Sequence, residues 1–246
     1  MLCARKNEGL FQHLINVGEL SRKIILETKV VHRIAESFSE NFAELAYYSG
    51  VFHDVGKILY SFQKPLDKKC SEKDLSFPGH EVLSAFIASR LMKYLDFFND
   101  LEKASVVKVI LYHHQGLRDV KVATELLVNK IKVSRGKEPL IYYNEALTLF
   151  NQLTKKVDID INIEEFLKNI ENNLMSLDVR KVLKREFDRY NEILSNLTRS
   201  ELQRYTAFRR ILTGIILISD TYVASRVDKI SSIYAQDIYV FLSQFR

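Results

Sequence analysis

Histidine and aspartate are the side chains that hold divalent metals able to activate water, and this chain sets them out in a suggestive order. His53 and Asp54 are adjacent in the run Gly50-Val-Phe-His-Asp-Val-Gly-Lys57. His13 lies upstream, His80 and the pair His113-His114 lie downstream, and Asp220 interrupts the apolar run Ile-Ile-Leu-Ile-Ser-Asp-Thr-Tyr-Val. Taken singly, a histidine on an apolar face is more often a hydrogen-bonded core residue, and His13 and His80 each admit that reading. The pair His53-Asp54 is harder to dismiss, because it sets a charge beside Val51, Phe52 and Val55. A buried carboxylate left without a partner costs about 3–5 kcal/mol. Asp220 raises the same problem. A cation between these groups solves both; the alternative is that Lys or Arg side chains satisfy them.

Spacing predicts how the ligands divide. Adjacent residues of a helix point about 100° apart, so Asp54 is expected to bridge two ions while His53 holds one. His13, His53, Asp54 and Asp220 form one set; Asp54, His80, His113 and His114 form a second that shares the carboxylate. Two ions ~3.5–4 Å apart activate water and stabilise the leaving oxygen of a phosphodiester. Five imidazoles favour Mn, Fe, Co or Ni, with Mg as an ion that supports activity. Lys57, four residues after His53, is expected on the same helical face, where it meets a phosphate oxygen or the leaving group; the plain alternative is a solvated lysine. Asp54 and Lys57 are therefore the catalytic candidates. His80 falls in the first turn after Pro78, where the helix dipole favours the neutral, metal-binding imidazole. The Gly50–Lys57 run is not a phosphate-binding loop: five residues separate its glycines and Ile58 follows the lysine. No nucleotide-driven motor is expected within the chain.

The elements that must position these residues are helical. Leu10 to Glu27 puts Leu10, Leu14, Val17 and Ile24 on one face, with His13 among them. Asn41 and Glu44 resemble a helix-starting cap for a helix running to His53. A polar connection, Lys64 to Ser76, follows. Pro78 opens a helix through Leu83, Ile87, Leu91 and Leu95; Leu101 to His114 is another amphipathic segment, stopped at Gly116. Lys130 to Pro139 reads as a basic loop and Val157 to Ile163 as a short extended segment. Asn162 with Glu165 caps a further helix. Thr198-Arg-Ser-Glu201 is a capping box starting a long helix through Asp220 to about Val227. With only eight glycines and three prolines in 246 residues, an all-β chain is excluded. The expected fold is all-α, one domain over 1–246, with metal-site motifs in 10–116 and 211–228 around a variable, basic middle, 117–210.

The net charge of +5 is concentrated. Residues 180–210 carry nine Lys/Arg against four Asp/Glu, while the rest of the chain balances at 27 of each. Such a block suits a polyanion or forms a solvated helix face. The first residues, Met1 to Glu8, lack the apolar stretch of a signal peptide. The most apolar segment, Ile211 to Val227, is too interrupted to span a membrane. Cys3 and Cys70 read as unpatterned thiols with no disulfide, which fits a reducing cytoplasm.

Together, His13, His53-Asp54 with Gly56-Lys57, His80, His113-His114, and Asp220 followed by Ala224-Ser225 resemble the HD superfamily of metal-dependent phosphohydrolases. More narrowly, they resemble the HD nuclease of type I CRISPR interference, in the form separate from its helicase. The resemblance covers most of the chain, strongly from His13 to Gly116 and from Ile211 to Arg226, and Phe62-Gln63 fits it. It implies an HD helical bundle with an extra helical or loop middle. It also implies a two-metal nuclease for single-stranded DNA, with RNA as a second substrate, serving an interference complex beside a separate helicase. All seven His/Asp residues carry over as metal ligands, and Lys57 with Ser225 or Arg226 as phosphate-contacting groups. The chief alternative is an HD phosphohydrolase of small or cyclic nucleotides, for whose closed pocket the sequence offers no fingerprint. A non-catalytic nucleic-acid-binding module with a structural metal is the third reading, although no ligand position is lost.

Overall fold

The computed structural model describes residues 1–28, 31–33, 37–66, 70–71, 76–114 and 119–228. Two short strands, β1 (Cys3–Arg5) and β2 (Glu8–Gly9), form an antiparallel hairpin ahead of the helices. Helices α1 (Leu10–Glu27) and α2 (Phe42–Phe52) follow, then a 3₁₀ turn (Val55–Ile58) and the one-turn α3 (Tyr60–Gln63). Next come α4 (His80–Leu91), α5 (Asp100–Tyr112), α6 (Val120–Ser134) and α7 (Tyr143–Lys156). The order ends with α8 (Ile163–Met175), α9 (Val179–Ser195) and the long α10 (Arg199–Asp228). The fold is all-α, as expected. No helix among the described residues is long and apolar enough to cross a membrane.

The core-facing stripe of α1 is the one its periodicity requires: Leu10, Leu14, Val17 and Ile24 are buried, and His13 with them. It packs on α2 with the two backbones in contact. A Cβ on Gly18 would lie 2.6 Å from Val51 Cγ2, and one on Gly50 would lie 2.7 Å from the Gly18 Cα. That approach, closed to any larger residue, brings the His13 turn of α1 alongside the His53 end of α2. A second close approach joins the 3₁₀ turn to α4. A Cβ on Gly56 would lie 2.4 Å from His80 O and 2.6 Å from Ser84 N, and Gly56 N–H donates to Ser84 Oγ at 2.8 Å. Helix α10 packs against α1, α2 and α5, carrying Asp220 to the same region.

Several local expectations change. Asn41 precedes α2, but its side chain does not cap it and donates instead to Glu102 Oε1. Glu102 and Asn99 form an unforeseen capping box that starts α5 at Asp100. Residues 130–134 belong to α6, so only the later part of the proposed basic loop is a loop. Val157 to Asn162 is irregular, without a strand, although Val157 and Ile159 are buried. The caps at Asn162 and Thr198 form as expected. Gly116 and much of the polar connection, 67–69 and 72–75, lie outside the described residues.

The cysteines are a correction. Cys3 and Cys70 form a disulfide with Cα atoms 5.6 Å apart, and no free cysteine is described. A separation of 67 residues left no pattern by which to pair them; tertiary folding does so by laying β1 beside the segment after α3. Asn7 N–H donates to Cys70 O, and Gln63 pairs with both backbone groups of Cys3. Paired in this way, the two cysteines give no indication of a reducing compartment.

Candidate metal centre

Asp54 closes α2's end and begins the 3₁₀ turn, so its carboxylate points into the gap between α2, α4 and α5. One oxygen, Oδ2, meets Lys57 Nζ at 2.5 Å. The other, Oδ1, lies 2.8 Å from His80 Nε2 and 3.7 Å from His113 Nε2. None of Asp54 Oδ1, His80 Nε2, His113 Nε2 or His114 Nδ1 has a hydrogen-bond partner, although all four are buried. The reason lies in the far side of two rings. His80 Nδ1 faces Phe77 O at 2.6 Å and His113 Nδ1 faces Ile110 O at 2.6 Å. A carbonyl only accepts, so each Nδ1 carries the proton and each Nε2 presents a lone pair. Two nitrogen lone pairs and a carboxylate oxygen thus converge, with the neutral His114 ring and its partnerless Nδ1 beside them. Their ligand atoms all lie within 4.8 Å of one another. Orphaned buried acceptors are costly, and a divalent cation satisfies all four; the donor set fits such an ion.

A second group, His13, His53 and Asp54, shares the carboxylate. His53 Nδ1 is likewise held by Gly50 O at 2.7 Å, and its Nε2 faces His13 Nε2 at 3.3 Å. Asp220 stands at the edge, outside that compact group, with Oδ1 3.3 Å from His13 Nε2 and 3.9 Å from His53 Nε2. It is 16% exposed and marks the solvent side of the cluster. Arg5 Nη2 donates to Asp220 Oδ1 at 2.6 Å, while Arg5 Nε meets Glu8 Oε2 at 2.8 Å. Both carboxylates therefore have cationic side-chain partners, as the alternative from sequence held, but Lys57 occupies only one oxygen of Asp54.

The electrostatics differ across the cluster. Burial disfavours a charged His13, yet hydrogen bonds with Asp220, Asp54 and Glu8 outweigh it and raise its pKa to about 10. Burial and the neighbouring His113 and His80 push His114 down to about 2, leaving a neutral ring. Burial also lowers His53, whereas the Asp54 carboxylate outweighs burial at His113 and raises it. Asp54 resists the upward push of burial because His53, Lys57 and His80 surround it, and it stays ionised. Asp220 does so through His13, His53 and Arg5.

The HD domain family matches residues 10–224. The chain belongs to the HD-domain family. HD domains bind divalent metals, and membership makes this protein a metal-dependent hydrolase in class. Among solved structures, it is similar to the CRISPR-associated Cas3 HD domain protein MJ0384 from Methanocaldococcus jannaschii. The two share 15% identity at a TM-score of 0.52, over 89% of this chain and 98% of that one. At this identity the likeness is one of fold. No curated protein matches the chain.

Of the residues singled out in this HD chain, His13, His53, Asp54, His80, His113 and His114 come together in the two groups, with Asp220 beside them. Lys57 departs from its expected place. It sits in a 3₁₀ turn rather than on a helical face with His53, is 7% exposed, and donates to Ala4 O besides pairing with Asp54. Ser225 turns its hydroxyl onto Tyr222 O, and Arg226 lies over the Tyr222 ring. His32 belongs to neither ligand group. Sequence reasoning missed Arg5, Glu8 and the role of Gln63, which ties Cys3 to Lys57 O. Strands of three and two residues carry no periodicity by which such residues could be assigned a direction.

Proposed function

We propose that this HD protein is a nuclease that cuts single-stranded DNA, with RNA as a second substrate, in type I CRISPR interference. The observation that carries the reading is Asp54 standing between two ligand groups, with its Oδ1 and three imidazole nitrogens buried and unpaired. That arrangement suits two divalent ions of the Mn, Fe, Co or Ni type sharing one carboxylate, with Mg able to support activity. When bound, such ions supply the Lewis acidity that makes water a nucleophile at neutral pH and offsets charge on a phosphodiester. The protein's own part is to hold the ligands. His53, Lys57 and His80 keep Asp54 ionised, Lys57 aims it, the carbonyls of Gly50, Phe77 and Ile110 fix three rings, and Asp220 faces the side from which a phosphate enters. Support for a long polyanion comes from α9 and the start of α10, where Lys181, Lys184, Arg185, Arg189, Arg199 and Arg204 are exposed.

In this reading a separate helicase and an interference complex supply the opened strand, and the protein acts in the cytoplasm. The test is metal-dependent cleavage of single-stranded DNA beside blunt duplex of the same sequence and a panel of nucleotides, with His53→Ala as control. Cutting of the single strand alone, lost in the variant, is expected. Equal rates on duplex would remove the need for a helicase. Rapid hydrolysis of a nucleotide with no strand cleavage would hand the function to an HD phosphohydrolase of small nucleotides.

A further inference from the structure

Three imidazoles of the cluster are oriented by their own neighbours in sequence: His53, His80 and His113 each give Nδ1–H to the carbonyl three residues back. His13 has no such local support. It lies inside α1, where backbone carbonyls serve the helix, and its Nδ1 faces Glu8 Oε2 on β2 at 3.1 Å. We propose that Glu8 is a positioning residue for the metal ligand His13, and that the N-terminal hairpin is thereby part of the metal centre. Glu8 is 5% exposed, so no bulk water competes for its carboxylate. The same oxygen is fixed from the other side by Arg5 Nε, and Arg5 Nη2 reaches on to Asp220. One strand pair therefore stands behind both His13 and Asp220, on the sides that their contacts with each other and with Asp54 leave open. A carboxylate behind an imidazole fixes its tautomer with Nε2 toward the ion and makes it a more basic ligand than a carbonyl does.

The proposal rests on the two-ion reading above, and its consequence is selective. Glu8→Gln keeps the size of the side chain but removes the anion. It should weaken the ion on the His13 side by about 10–100-fold, the usual cost of losing such an outer partner, and leave the ion on the His80 side untouched. The experiment is calorimetric titration of the full chain with Mn²⁺ for wild type, Glu8→Gln, His13→Ala and the double variant. Two ions in wild type, one of them weakened by Glu8→Gln, with no further effect in the His13→Ala background, is the expected pattern. Wild-type affinity for both ions in Glu8→Gln overturns the proposal alone. Loss of both ions, or an equal loss in the His13→Ala background, overturns it by showing a general structural role. A single ion in the wild-type trace overturns the two-ion reading itself, before any variant is compared.

Discussion

The two sides of the cluster share Asp54 but are made differently. On the His80, His113 and His114 side, the ligands sit at the start of one helix and the end of another. Carbonyls three residues away orient His80 and His113, and His114 is held neutral. On the His13 and Asp220 side, His53 is held by a carbonyl as well, but the groups behind the other two are charges: Glu8 behind His13, and Arg5 against Asp220 across 215 residues of sequence. The first side is assembled by helix ends and needs little else. The second needs the hairpin, and the hairpin is secured by the Cys3–Cys70 disulfide and by Gln63. A site half built by local turns is robust to events elsewhere in the fold; a half built by distant ion pairs is sensitive to charge and pH.

The largest effect should come from the residue the two sides share. Asp54→Asn is expected to remove both ions and lower single-strand cleavage on the order of 10⁴-fold, the scale for a group on which a catalytic unit depends. His32→Ala, outside both groups, should leave turnover unchanged. Labelled-strand cleavage with metal titration decides it, and retention of one tight ion in Asp54→Asn would mean that the sides are independent.

Next in size is the dependence on pH, which should divide the sides. The His13 pKa of about 10 lies above its ordinary 6.5, so the folded protein binds this proton more tightly than the unfolded chain. Without metal, the stabilisation from charged His13 is fully present below about pH 6.5 and is lost as pH rises through about 10. A cation entering beside His13 must expel the same proton, so its affinity should rise by up to about tenfold per pH unit between pH 7 and 9. On the other side His114, already neutral, contributes no such release, so any proton expelled there comes from His113, which Asp54 raises. Titrations in buffers of different ionisation enthalpy count the protons; a count unchanged by His13→Ala would break the contrast.

Gly56→Ala should strain the approach that sets Asp54 against His80. The added methyl meets backbone at 2.4 Å and 2.6 Å, which predicts a loss of about 1–3 kcal/mol in urea denaturation. The ion on the His80 side should weaken before the one beside His13; the reverse order would show that Gly56 does not position that side.

The smallest effect lies outside the comparison and limits it. Charge reversal at Lys184, Arg185 and Arg189 should reduce the salt dependence of single-strand binding by about 0.7 in log–log slope for each phosphate no longer neutralised. Hydrolysis of a small phosphodiester should be unaffected. An unchanged slope would return the basic block to a solvated helix face.

Much of this was legible in the order of residues, because it depends on local rules. Periodicity alone placed α1 at Leu10–Glu27 with His13 on its buried face. Side-chain caps at Asn162 and Thr198 announced their helices, and the apolar setting of Asp54 and Asp220 demanded partners for both. What only the tertiary structure decided involves groups far apart in sequence or elements too short to show a period. Lys57 turned to Asp54 because a 3₁₀ turn, not a helix, follows His53. Cys3 met Cys70, and Arg5 and Glu8 reached Asp220 and His13, because a short hairpin was laid across the end of the helices. Which His and Asp side chains are candidate ligands follows from residue type and apolar setting, which sequence displays. Ligand orientation depends on which distant carboxylate or carbonyl the folded chain places behind each ring, and that is set only when the helices close on one another.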